Sequence, residues 1–190
     1  FYTPTDGKIL VDGYDMNNVD QAYYRAQIGY VMQTNLVFSG SIAENIACGD
    51  ASPDRRRIEE VAKMADAHAF VSKMPLGYEQ IVGERGVGLS GGQIQRLCIA
   101  RALYHNPRLI VFDEATSSLD TQSESNILAN MQEILAGRTA VIIAHRLSTI
   151  MRADKILVLY DGAIVEDGRH DELVQRKGMY YQLVQKQLMP

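Results

Sequence analysis

The sequence predicts an α/β fold in which a mostly parallel sheet carries a largely helical insertion, and three observations lead there. The runs at 109–113 and 139–144 are continuously apolar, the pattern of parallel strands covered on both faces. Short apolar runs alternate with helical patterns toward both ends of the chain. No strand signal of that quality falls between Asn45 and Tyr104. The α/β core is therefore assigned to 1–33 and 106–190, and a helical subdomain to 34–105.

Taken in order, strands are expected at 8–11 and 28–32, the second closed by Gln33. Ser52-Pro53 reads as an N-cap with proline at the first helical position, opening a helix to about Ala67. Ser90, Gly91, Gly92 and Gln93 open another helix, and its dense apolar content through Ile94, Leu97, Cys98 and Leu103 marks it as core. The strand at 109–113 ends in the carboxylates Asp113 and Glu114. A helix at 121–135 leads to strands at 139–144 and 155–160. Asp161-Gly162 is a turn between two strands, and a helix at 179–188 follows. There is no internal repeat and no low-complexity segment.

The 190 residues, 46% of them apolar, suffice for one globular unit with a proper core. The net charge is −4 and the pI near 5.6, with no long basic run. A nucleic-acid partner leaves a clustered positive footprint, so none is expected. The densest basic cluster, Arg55-Arg56-Arg57, lies beside Glu59-Glu60 and reads as a solvated helix face. Cys48 and Cys98 are isolated thiols without metal-ligand spacing, for which a reduced, cytosolic setting is the default. No apolar stretch reaches the ~18 residues of a membrane-spanning helix, and no signal peptide is visible. Membrane attachment is expected to come from sequence outside the chain.

Two features point to phosphate chemistry. The Ser90-Gly91-Gly92 turn frees backbone N–H groups at a helix start, where the helix dipole also favours an anion. By itself such a turn is equally an ordinary loop. Asp113 and Glu114 stand at the C-terminal end of a buried strand, where open α/β sheets place ligands. By themselves they favour the plainer reading of a strand-end carboxylate pair capping the next helix. Hydrolysis of a phosphoanhydride needs charge neutralisation, an aligned water and a group to orient it. One expected part is lacking: no G-x-x-x-x-G-K-[ST] string occurs, and Gly7-Lys8 is followed by Ile9 without the earlier glycine.

In this order the strings resemble those of the ATP-binding-cassette (ABC) transporter ATPases, over essentially the whole chain. Leu89-Ser90-Gly91-Gly92-Gln93 resembles the family's signature motif, and Leu109-Ile110-Val111-Phe112-Asp113-Glu114 its Walker B strand. Ser117-Ser118-Leu119-Asp120 resembles the D-loop, and Ala144-His145-Arg146-Leu147-Ser148-Thr149 the switch-histidine segment. Gln33 stands at the Q-loop position, and Gly168-Arg169-His170-Asp171-Glu172-Leu173 is similar to the family's closing pattern.

The resemblance implies a P-loop NTPase core whose N-terminal strands, P-loop and adenine-stacking aromatic are missing. The chain by itself is then expected to be inactive and to expose part of its core sheet. ATP and Mg²⁺ are implied, with Asp113 holding the metal through a water and Gln33 joining it as sensor of the γ-phosphate. Glu114 would polarise the attacking water, and His145 would contact the γ-phosphate and help position Glu114. Ser90, Gly91, Gly92 and Gln93 would close over the ATP of a partner subunit in a head-to-tail dimer, with Asp120 at the same interface.

Gly83-Glu84-Arg85-Gly86 and the string from Val37 to Ile46 resemble exporter sequences. They imply a transmembrane domain preceding this cassette, a place on the cytoplasmic side of the inner membrane, and a peptide or protein as exported substrate. Two other readings stay open at this level. One is a soluble ATPase of the same family working in DNA repair or translation. The other is a non-catalytic interaction module that pairs with an intact cassette.

Overall fold

The computed structural model describes residues 3–83, 88–114, 121–143 and 147–188. The chain divides into two compact units, 1–141 and 142–190.

The first unit opens on an antiparallel hairpin of β1 (Leu10–Val11) and β2 (Tyr14–Asp15). Asp12 at φ 50° and Gly13 at φ 83° form its turn, both in the left-handed region that a two-residue hairpin loop demands. The strand expected at 8–11 is thus confined to its last two residues, because the tight turn leaves only two residue pairs. Helix α1 (Gln21–Ala26) starts where the Asp20 carboxylate accepts the Tyr23 N–H at 2.6 Å.

Strand β3 (Ile28–Val31) pairs in parallel with β6 (Leu109–Asp113), Ile28 opposite Leu109 and Val31 opposite Phe112. Strand β7 (Thr139–Ile143) completes a sheet of order β3-β6-β7. Arg138 fastens the approach to β7, donating to Pro107 O (3.1 Å), Ile134 O (2.7 Å) and Asn106 Oδ1 (2.7 Å).

Val31, Ile110 and Phe112 are buried, whereas Tyr30, Met32 and Val141 stay about half exposed. The expectation that the strands at 109–113 and 139–144 are covered on both faces therefore fails for β7, whose residues alternate between exposed and half-buried. Continuous apolar sequence shows that both faces can be covered, but not that the covering element is in the chain.

The helical stretch holds α2 (Ile42–Ile46), α3 (Arg55–Met64), α4 (His68–Val71) and α5 (Gly91–Tyr104). Helix α2 starts in a capping box: the Ser41 hydroxyl accepts from Glu44 N at 3.1 Å and the Glu44 carboxylate from Ser41 N at 2.7 Å. Helix α3 is capped by Asp54, not by Ser52. The Asp54 carboxylate reaches two orphan donors, Arg56 N (2.8 Å) and Arg57 N (3.4 Å). The helix stops at Met64 rather than Ala67, since Asp66 turns to φ 56°. Its buried Ile58, Val61 and Ala62 lie three and four residues apart, the spacing of one packed face, and α3 packs on α5.

Arg57 departs from the solvated face expected of it. Its guanidinium donates to Tyr104 O (3.1 Å) and Leu103 O (2.8 Å), a cation closing the carbonyl end of α5. The stretch also contains a small antiparallel pair, β4 (Gly40–Ser41) with β5 (Ile81–Val82), too short to carry a period in the sequence. Helix α6 (Thr121–Leu135) occupies the span expected and meets α3 through Asn130 Nδ2, which donates to Met64 O at 2.9 Å.

The second unit contains α7 (Leu147–Ile150), the hairpin β8 (Ile156–Tyr160) and β9 (Ala163–Gly168), then α8 (His170–Arg176) and α9 (Met179–Leu188). The expected Asp161-Gly162 turn has both residues left-handed, at φ 49° and 76°. Ile156, Val158, Leu173, Tyr180 and Val184 form its core. Glu166 accepts from Met179 N (3.1 Å) and Tyr180 N (2.8 Å), capping α9. Among the described residues no helix is long and apolar enough to cross a membrane.

Candidate active site

Because β3 and β6 run parallel in register, they finish side by side, and the polar residues at their ends meet. The Gln33 amide Nε2 donates to Glu114 Oε2 at 3.0 Å. The Tyr30 hydroxyl donates to Asp113 Oδ2 at 3.1 Å. Tyr30 pairs with Val111, and side chains alternate along a strand, so Tyr30 shares a face with Asp113 two residues on. Partial burial, followed by the bond to Asp113 and its negative charge, raises the Tyr30 phenol above its ordinary range.

Glu114 sits at φ 50°, in the left-handed region that residues with a Cβ rarely enter. Such strain persists where the surroundings hold it, and it gathers at functional sites. The segment after Gln33 is itself fastened. Arg101 of α5 donates to Leu36 O (2.7 Å), Asn45 O (2.7 Å) and Asn45 Oδ1 (2.9 Å), with its guanidinium over the Phe38 ring. Asn45 in turn bonds both backbone groups of Phe38. The loop that follows Gln33 is thereby tied to the helix that starts at Ser90.

At that helix start, Ser90 is the N-cap and Gly91 and Gly92 are the first two helical residues. Ser90 Oγ accepts from Gln93 N at 3.3 Å, and Gln93 Oε1 accepts from Ser90 N at 2.9 Å. Gln93 thus closes a capping box, while the first-turn N–H groups of Gly91 and Gly92 have no acceptor within the helix. Asp120 and His145 lie outside the described residues, as do Ser117, Ser118 and Leu119 before Asp120, Ala144 and Arg146 beside His145, and residues 84–86 of the exporter-like string.

Among the described residues no three His, Cys, Asp or Glu side chains converge to hold a metal by themselves. For a metal the site offers the Asp113 carboxylate and the Gln33 amide oxygen, with the Glu114 carboxylate next to them. Both are hard oxygen donors, and Mg²⁺ is commonly bound by one or two carboxylates while substrate phosphates and waters complete its shell. The residues fit that ion held together with a nucleotide. Tyr30 is the site residue that sequence reasoning missed. The available signal was a hydroxyl-bearing aromatic two residues short, in register, of a strand-end carboxylate.

Comparison with known proteins identifies the family. The ABC transporter family model matches residues 1–117. The exotoxin translocation ATP-binding protein PaxB of Pasteurella aerogenes is 52% identical over 98% of this chain and 26% of its own length. The leukotoxin translocation ATP-binding protein LktB of Mannheimia haemolytica is 52% identical over 99% of this chain and 27% of its own. The chain therefore spans about a quarter of the curated relatives it matches. The solved structure of a bacterial Atm1-family ABC exporter with ATP bound aligns at TM-score 0.94 and 43% identity, over 100% of this chain and 33% of that one. The family model covers well over half of the sequence, including both strands that carry the site, and the chain belongs to the ABC transporter family.

Proposed function

We propose that this chain is the greater part of the ATP-hydrolysing domain of an ABC exporter. The observation that carries the reading is the junction at the ends of β3 and β6, where Gln33 grips Glu114 at 3.0 Å beside Asp113. Glu114, held by the Gln33 amide, would accept a proton from the attacking water and orient it. Asp113 and the Gln33 amide oxygen would hold Mg²⁺, which supplies charge neutralisation at the phosphates. His145 and Asp120 are assigned by the family resemblance, the first to the γ-phosphate and the second to the dimer interface.

The α5 start at Ser90, Gly91, Gly92 and Gln93 would face the nucleotide of a second copy or homologous domain, giving the head-to-tail pair. Names of relatives refer to toxin translocation, which supports a peptide or protein cargo and disfavours a soluble repair or translation ATPase. The same reading places the chain at the cytoplasmic face of a membrane, beside a transmembrane domain, with the helical stretch 34–105 facing that domain.

The test is Mg²⁺-dependent ATP hydrolysis by the chain and by a version extended upstream through a P-loop. Activity is expected in the longer protein only, and Glu114→Gln should lower kcat by about a hundredfold or more. Hydrolysis by the chain alone that survives Glu114→Gln would place the catalytic site elsewhere. No hydrolysis by either, at concentrations that allow pairing, would overturn the ATPase reading.

A further inference from the structure

We propose that Tyr30 is a positioning residue for Asp113, holding one carboxylate oxygen so that the other is presented to the metal. The inference rests on the reading that Asp113 holds Mg²⁺. The phenol stands in the otherwise aliphatic end of β3, where the parallel register puts it on the same face as Asp113. Its hydroxyl donates to Asp113 Oδ2 at 3.1 Å, while the ring remains half exposed.

A carboxylate at a strand end turns freely about its last torsion, whose energy wells are broad. One hydrogen bond removes that freedom and leaves the second oxygen with its lone pairs. The chemical type of the donor matters as well. A lysine or arginine at this place would neutralise the carboxylate and weaken its hold on a cation. A phenol orients it at no cost in charge. Gln33 likewise meets Glu114 with a neutral amide, so an uncharged donor from β3 or the residues just after it reaches each site carboxylate.

The experiment measures Mn²⁺ binding by electron paramagnetic resonance with a non-hydrolysable ATP analogue, in the protein extended through its P-loop. Tyr30→Phe keeps the ring on the sheet and removes only the donor. It is expected to weaken Mn²⁺ binding roughly three- to tenfold, the worth of one hydrogen bond. The Mg²⁺ concentration for half-maximal hydrolysis should rise by the same factor, with kcat at saturating metal nearly unchanged. Tyr23→Phe, on an α1 residue 66% exposed, removes a phenol hydroxyl away from the carboxylates and should leave Mn²⁺ affinity as it was.

Unchanged or tighter Mn²⁺ binding in Tyr30→Phe overturns the inference. Asp113→Asn separates the two levels. If it weakens Mn²⁺ binding and Tyr30→Phe does not, only the role of Tyr30 falls. If Asp113→Asn leaves binding intact, the assignment of the metal to Asp113 falls, and that of Tyr30 with it.

Discussion

At the scale of single residues, the site depends on how closely the two strand ends are held. Gly29 on β3 shows how little room there is. A Cβ there would run into Ala102 O and lie 2.9 Å from Pro107 Cγ, so the α5 backbone would have to move. Gly29→Ala is expected to destabilise the chain by about 1–3 kcal/mol, the range for overpacking a tight contact. Urea unfolding of the two proteins checks this, and an unchanged midpoint would mean that β3 and α5 yield without cost. Asp113 and Glu114 stood out in the sequence as strand-end carboxylates, whereas Gln33 was singled out only by its position in the family resemblance. Tyr30 was not, since its partner depends on a register that only strand pairing sets.

At the scale of elements, caps decide where helices begin. The Ser90 start was readable from the Ser-Gly-Gly turn that leads into a long apolar stretch, and the structure adds a capping box with Gln93. The Asp54 start was not, as Ser52-Pro53 offers an equally good local pattern. The choice fell to whichever side chain could reach two free N–H groups.

Tyr78, in the short 3₁₀ turn Gly77–Glu79, joins elements in another way, with its hydroxyl 2.9 Å from His68 Nδ1 and Arg55 stacked on its ring. Burial, aided by Glu59 and opposed by Arg55, pushes its pKa from 10.0 up to about 12. The folded state therefore keeps this proton over a range where the unfolded chain has lost it. Stability from this source is complete below pH 10 and is lost as pH rises from 10 toward about 12. Tyr78→Phe should lower stability by roughly 1 kcal/mol at neutral pH, and should flatten the fall between pH 10 and 12. Denaturant midpoints measured across that range would show it. Equal slopes in both proteins would rule out Tyr78 as the source.

At the scale of the molecule, the face carrying Tyr30, Met32 and Val141 bears half-exposed apolar groups beside the site. Such surface on a sheet favours association between chains. The chain alone should sediment with a concentration-dependent mass, and the version extended upstream should do so less. A monomer at all concentrations would show that this surface is tolerated in water.

By itself the sequence determined the α/β class, the spans of the longest helices and of the core strands, and the order of the phosphate-chemistry strings. Those features follow from periodicity, caps and residue chemistry, which act over a few neighbouring positions. Only the tertiary structure decided which donor meets which carboxylate, that Arg57 closes the end of α5, and that one side of the sheet stays open. Those outcomes join residues about 40 to 80 positions apart, as in the Arg57–Tyr104 and Tyr30–Asp113 bonds, and no local pattern encodes them. They are set by strand register and by the space that packed backbones leave.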